Sequence, residues 1–192
     1  MSVAGLILSA GESRRMGSPK ALLHCRGQTF LDGLIERFAE VCAPVIVVLG
    51  HAEAEIRAGI SLGNRAAFVS NPDYRRGQLS SMQCGLRAMP EDTEGALFTL
   101  VDHPRVQLET LRLLLTEPRG RVVKPRHEGR SGHPVYFASS LFPEFLALPP
   151  DGQARDVVRA HDAQTRFVNV PDHGILDDID DPEAYQRLLA AT

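Results

Sequence analysis

Val3-Ala4-Gly5-Leu6-Ile7-Leu8 runs directly into Ser9-Ala10-Gly11-Glu12-Ser13-Arg14-Arg15-Met16-Gly17-Ser18-Pro19-Lys20, and this stretch sets the fold class of the 192-residue chain. Its first six residues are apolar on both faces, the pattern of a central parallel strand covered on each side by helices. The strand then breaks into a loop of small residues carrying three cations. Glycine and alanine let backbone amides approach anionic oxygens without obstruction, and Arg14, Arg15 and Lys20 add full charges. A solvated surface loop with routine cations is the plain alternative. The concentration of both features at one strand tip favours a triphosphate.

Outward from this loop, strand and helix patterns alternate. Leu31, Leu34, Ile35, Phe38 and Val41 form a helical stripe within 29–41, and 44–49 is a second strand closed by Gly50. A short helix over 53–58 and a strand over 66–70 follow. Next come a helix over 80–89, an apolar strand over 95–101 and a helix over 108–115. Later strands are expected at 121–124, 134–138 and 166–170, with helices at 141–148, 153–161 and 182–189; Pro182 suits a first helical turn. This order predicts an α/β fold with a mostly parallel sheet covered by helices, whose ligands gather beyond the carboxyl ends of the strands. The loops after Leu8, Ser70 and Val101 meet there. The expectation is one domain over 1–192, with 125–173 including an arm over the site.

Composition removes several function classes. A net charge of −3 argues against broad attraction to nucleic acid or an anionic membrane, although a local phosphate site remains compatible with it. No apolar run approaches the ~20 residues that cross a bilayer, and no basic segment precedes the first strand, so a cytoplasmic location is expected. Cys25, Cys42 and Cys84 form neither a disulfide framework nor a four-ligand zinc pattern; structural thiols are the expectation.

The first loop lacks both the GxxxxGK[ST] and the GxGxxG spacing, which argues against a Walker loop and a nicotinamide site. Asp102 follows the 95–101 strand, where a carboxylate can hold a divalent cation beside phosphate oxygens or simply cap the next helix. A second acidic run, Asp177-Asp178-Ile179-Asp180-Asp181, can complete a metal site or cap the terminal helix. Asp178 is the preferred second ligand, with the register among its neighbours open. Gly77 allows close approach of a ligand, and Ser80 or Ser81 can meet a base or phosphate. Gly132 can admit substrate, His133 can contact an oxygen, and Arg155 can reach an anionic acceptor. His103 is assigned to substrate contact or loop structure rather than to a general base. Lys20→Ala is expected to lower activity with little effect on unfolding.

Together these pieces resemble the molybdenum-cofactor nucleotidylyltransferase family, most closely its cytidylyltransferase branch. The matching segments are residues 8–20, Asn71-Pro72 through Gly77 and Ser81, Asp102-His103-Pro104, Gly132-His133-Pro134 and Asp178 through Glu183. The resemblance implies a Rossmann-like fold of the nucleotide-diphospho-sugar transferase type. It places the nucleotide on Leu8, Ala10, Gly11, Arg15, Lys20, Gly77 and Ser81, and Mg2+ on Asp102 and Asp178. Arg15, Lys20, Asp102 and Asp178 would carry the catalysis. Ala10, where guanylyl-transferring relatives tend to have glycine, points to CTP. The implied reaction is CMP transfer from CTP to molybdopterin with release of pyrophosphate, alongside a molybdoenzyme maturation partner. Two alternatives are a polyol- or sugar-phosphate cytidylyltransferase and a non-catalytic nucleotide-binding accessory protein.

Overall fold

The computed structural model describes residues 2–116 and 120–191; Met1, residues 117–119 and Thr192, which the single-domain expectation includes, lie outside them. β1 (Ser2–Ser9) is followed by a small hairpin, β2 (His24–Cys25) and β3 (Gln28–Thr29), that the sequence pattern did not reveal. α1 (Phe30–Ala39), β4 (Val45–Leu49), α2 (Glu53–Gly59), β5 (Ala67–Ser70), α3 (Gln78–Arg87), β6 (Thr93–Leu100) and α4 (Leu108–Thr116) continue the alternation. Then come β7 (Val122–His127), β8 (Arg130–Ser131), β9 (Val135–Ala138), α5 (Phe142–Ala147), α6 (Ala154–Ala160), β10 (Thr165–Asn169) and α7 (Pro182–Ala190).

The main sheet runs in the order β10-β7-β9-β6-β1-β4-β5, with β8 paired to β7. β1 lies between β4 and β6, both parallel to it, which is why its residues are buried on both faces. β9 is antiparallel to both β6 and β7. Only residues 128–134 separate β7 from β9, too few for the crossover a parallel pair requires. Two hydrophobic cores flank the sheet. One contains Phe30, Leu34, Ile35, Phe38 and Leu111, and the other Leu6, Met82, Leu86, Phe137 and Phe145.

The topology puts the functional loops on one edge. β1, β4, β5 and β6 run parallel, and β7 and β10 share their direction because β9 reverses between β6 and β7. The segments that follow β1, β5, β6 and β10 therefore all leave from the same edge. Thr29 caps α1 by accepting from the Asp32 amide at 3.0 Å, and Asp181 caps α7 by accepting from the Ala184 amide at 2.8 Å. Asp181 thus fills the capping role foreseen for the acidic run. Among the described residues no helix is long and apolar enough to cross a membrane.

Candidate active site

The loop after β1 curls back over the sheet edge and brings Lys20 inside. Its amide donates to Ser13 Oγ at 3.2 Å, and the following residues 20–22 form a single 3-10 turn. Lys20 Nζ donates to Asp102 Oδ2 at 3.0 Å and also to Asp180 Oδ1. Arg15 pairs with the second oxygen of Asp180. Residues 165 positions apart in the chain are therefore joined at the tip of the first strand.

Backbone contacts explain why the distant acids arrive here. Asp172, fully buried, accepts from the Gln107 amide at 2.8 Å, from Thr110 Oγ1 at 2.7 Å and from the Gly174 amide at 2.9 Å. This ties the chain leaving β10 to the start of α4. The Ile179 amide then donates to the Asp102 carbonyl at 3.0 Å, setting Asp178 and Asp180 on either side of that bond. Ligand oxygens of Asp102, Asp178 and Asp180 all lie within 4.8 Å of one another. Three hard oxygen donors without sulfur or imidazole suit magnesium or manganese rather than zinc.

These groups surround a cleft of about 360 Å³. Leu8, Ala10, Gly11, Arg15, Lys20, Gly77, Ser81 and Asp102 all line it. Asp178 does not: it is exposed and lines a neighbouring depression, while Asp180 faces the cleft. Sequence reasoning placed Asp180 only among the alternatives, because spacing cannot tell which of two acids flanking Ile179 turns inward. It also missed Tyr74 and the Glu12–Arg75 pair at 3.2 Å, which links the first loop to the β5–α3 loop across the rim. Gly77 has φ +101°, a conformation that favours glycine, and its turn launches α3. The Asn71 side-chain amide donates to Ser81 Oγ at 3.0 Å, so the serine hydroxyl hydrogen remains available to a ligand.

Charge compensation is internal. Burial alone would lower the affinity of Lys20 for its proton, yet Asp102 and Asp180 outweigh it and hold the ammonium above its ordinary value. The hydrogen bond from Lys20, followed by Arg15, keeps the Asp180 carboxyl below the usual range. Asp178 moves the other way: although the residue reaches solvent, partial desolvation of its carboxyl and the charges of Asp102 and Asp180 raise it. Metal binding needs the ionised carboxylate. Divalent-cation affinity is therefore expected to decline, as pH falls, from above the ordinary aspartate value of 3.8. Titration calorimetry across pH checks this, and Asp178→Asn should flatten that part of the profile.

Packing changes the reading of two residues. At Gly132 the space a Cβ would fill is taken by the Ile175 carbonyl, which also accepts from the His133 amide at 3.0 Å, rather than left open for substrate. The glycine is needed for close packing of the acidic segment. The Lys20 side chain is 11% exposed between two carboxylates, so its removal is expected to lower stability as well as activity.

His103 and His133 stack with ring centroids 4.7 Å apart, and the Nδ1 atom of each is buried without a partner. Burial, reinforced by His103, pushes the His133 imidazole down to about 3, so it is neutral at physiological pH and supplies no cation to an acceptor. Below the ordinary value of 6.5 the unfolded chain binds a proton that the native ring refuses. Stability contributed by the neutral ring is complete above pH 6.5 and is lost towards pH 3, by up to about 1.4 kcal/mol per pH unit. His133→Phe should make acid unfolding shallower over that range, measured by denaturant titration at a series of pH values.

Comparisons with known proteins agree with this architecture. Residues 5–165 match the MobA-like NTP transferase domain. The molybdenum cofactor cytidylyltransferase of Escherichia coli K12 is 26% identical over 180 residues, covering 94% of this chain and 92% of that protein. The nicotine blue oxidoreductase of Paenarthrobacter nicotinovorans is 30% identical, with 97% of this chain and 96% of that protein covered. Among solved structures, Rv0371c of Mycobacterium tuberculosis H37Rv superposes with a TM-score of 0.85 at 27% identity over the full length of both chains, and its manganese complex with 0.82 at 26%. Fold, cleft and match converge: the chain belongs to the MobA-like NTP transferase domain family of nucleotidyltransferases.

Proposed function

We propose that the protein transfers CMP from CTP to molybdopterin in the cytoplasm and releases pyrophosphate, using Mg2+. The observation that carries this reading is Lys20 held between Asp102 and Asp180 at the mouth of a cationic, small-residue loop. The likeness to the E. coli molybdenum cofactor cytidylyltransferase supplies the identities of nucleotide and acceptor. Ala10, buried at the end of β1, supports the choice of cytosine over guanine.

In this reading Lys20 and Arg15 leave their carboxylate partners to hold the triphosphate oxygens. Backbone amides of the 9–13 turn stand against the same oxygens, and Ser81 donates to the nucleotide. Asp102 and Asp178 would hold the metal, with Asp180 alongside; when bound, it neutralises phosphate charge and orients the leaving group. An acceptor phosphate oxygen forms the new bond to the α-phosphorus as the bond to the β-phosphate oxygen breaks, and pyrophosphate carries away the electron pair. A phosphate monoester is largely ionised near neutral pH, so no enzymic base is required. Positioning and charge carry the reaction.

An adjoining cavity of about 540 Å³ suits the acceptor. It shares Gly77 and Gln78 with the nucleotide cleft and is lined by Arg76, Lys124 and Arg155. Those cations fit a phosphate-bearing acceptor delivered past Gly77 to the α-phosphorus.

A matrix of CTP and GTP against molybdopterin, a polyol phosphate and a sugar phosphate, read by pyrophosphate release, tests the proposal. Pyrophosphate and cytosine dinucleotide should appear only with CTP, Mg2+ and molybdopterin. Turnover confined to a polyol or sugar phosphate removes the cofactor assignment but keeps the chemistry. No pyrophosphate with any pair leaves an accessory nucleotide-binding protein or an activity like that of the oxidoreductase relative.

A further inference from the structure

A separate cavity of about 400 Å³ lies between the β2–β3 hairpin, α1 and the loop before α4, and shares no lining residue with the nucleotide cleft. Arg26, Arg37 and Arg105 line it, and no acid does. Arg37 is half-buried. Its Nη2 donates to the Pro104 carbonyl at 2.7 Å, and its Nε is buried without an acceptor. Neighbouring acids are engaged elsewhere: Glu36 accepts from Gln28, and Asp172 from three donors. Asp177 lies 3.4 Å from Arg105. Neither Arg26 nor Arg37 forms an ion pair among the described residues.

α1 is built to keep this guanidinium in place. Gly33 sits mid-helix, where glycine costs about 1 kcal/mol relative to alanine. A Cβ there would stand 3.2 Å from Arg37 Nη2, 3.3 Å from Nη1 and 3.4 Å from the Gln28 side-chain oxygen. The glycine leaves room for the arginine to fold back along its own helix. The cavity also takes in Thr29 and Phe30 at the start of α1 and Gln107 and Leu108 at the start of α4, two helix starts whose amides are already met by Thr29 and by the Asp172 carboxylate, so the arginines supply its charge.

We propose that this cavity is a separate binding site for a phosphate group carried by a small molecule. Guanidinium forks match phosphate oxygens, and Arg26 and Arg37 bring donors that no carboxylate pairs directly, the buried Nε of Arg37 among them. The volume leaves space beside the phosphate for an organic moiety. The site sits on the loop that leaves Asp102, through the Arg37–Pro104 bond.

Cys25 lines the same cavity and is half-buried, which provides a local reporter. Cys42 is buried, with its thiol pushed up to about 12, and Cys84 lines a different groove, so both serve as internal controls. Maleimide labelling, mapped by peptide mass, is run with inorganic phosphate and with ribose 5-phosphate. At a probe concentration about ten times its Kd, labelling of Cys25 should slow about tenfold, with Cys84 unaffected. The probe protecting at lower concentration identifies whether free phosphate or a phosphate ester is the better ligand. Lys20→Met should retain protection, which separates this site from the nucleotide cleft, and Arg37→Met and Arg26→Gln should lose it. If Arg37→Met does not fold, the exposed Arg26→Gln decides. Calorimetric titration into Lys20→Met, with and without Arg26→Gln, reads the site independently of the thiol. Absence of protection by both probes together with absence of heat, or protection unchanged in the arginine variants, overturns the proposal.

Discussion

Lys20→Ala lowers nucleotidyl transfer by about 10²- to 10³-fold, the scale expected for removing one preorganised charge at a reacting phosphate. It also lowers the metal-free melting temperature. Asp102 and Asp180 both lose their shared cation, and three carboxylate oxygens within 4.8 Å are left without it. Breaking a fully buried pair costs about 3–5 kcal/mol; Asp180 is 34% exposed, so solvent screening reduces the cost here to about 1–3 kcal/mol. Saturating Mg2+ should recover part of that loss by supplying the missing positive charge. Steady-state transfer and thermal melts with and without metal check both halves. Wild-type transfer in the variant removes Lys20 from the mechanism, and a melt insensitive to the substitution removes its structural role.

Asp102→Asn is the second large effect: transfer should fall about 10³-fold at fixed metal, with only partial recovery as metal is raised. The residue is half-buried, and its Oδ2 meets Lys20 at 3.0 Å. Its Oδ1 is buried without a hydrogen-bond partner, an acceptor left over for a ligand. The neighbouring acids divide differently. Asp178 forms no ion pair among the described residues, so Asp178→Asn should raise the metal concentration needed for half-maximal rate. Asp180 is paired with Lys20 and Arg15, so Asp180→Asn should chiefly change the KM for nucleotide. The reverse pattern, read from metal and nucleotide titrations of the two variants, would exchange the roles of the two acids.

The strands and helices were legible wherever apolar periodicity was uninterrupted, as in β1, α1, β4 and β6. The β2–β3 hairpin was not, because two strands of two residues carry no period. The antiparallel insertion of β9 follows from the short connection after β7, a deduction that needs to know β7 and β9 are partners. Asp102 stood out as a strand-tip carboxylate, whereas the choice between Asp178 and Asp180 depends on the bond from the Ile179 amide to the Asp102 carbonyl. No side-chain pattern encodes that bond. Gly132 misled for a related reason: a glycine that admits a ligand and one that admits a neighbouring carbonyl have the same letter. Arg37 gave no signal at all, since a cation near the end of an amphipathic helix is ordinary until its fold back over Gly33 is seen.

The pairing of Lys20 and Arg15 with Asp180 has a consequence for the order in which ligands arrive. Within the acid cluster, Asp102, Asp178 and Asp180 outnumber their cationic neighbours Arg15 and Lys20 by one charge, while Arg14 adds a further cation to the cleft lining. A divalent cation meets attraction at that cluster, and its arrival would free Arg15 and Lys20 from Asp180 and Asp102 for phosphate oxygens. The acid cluster is thus a cation trap, and filling it readies the cationic loop for nucleotide. On the proposed reading, triphosphate is expected to enter with, or after, its metal.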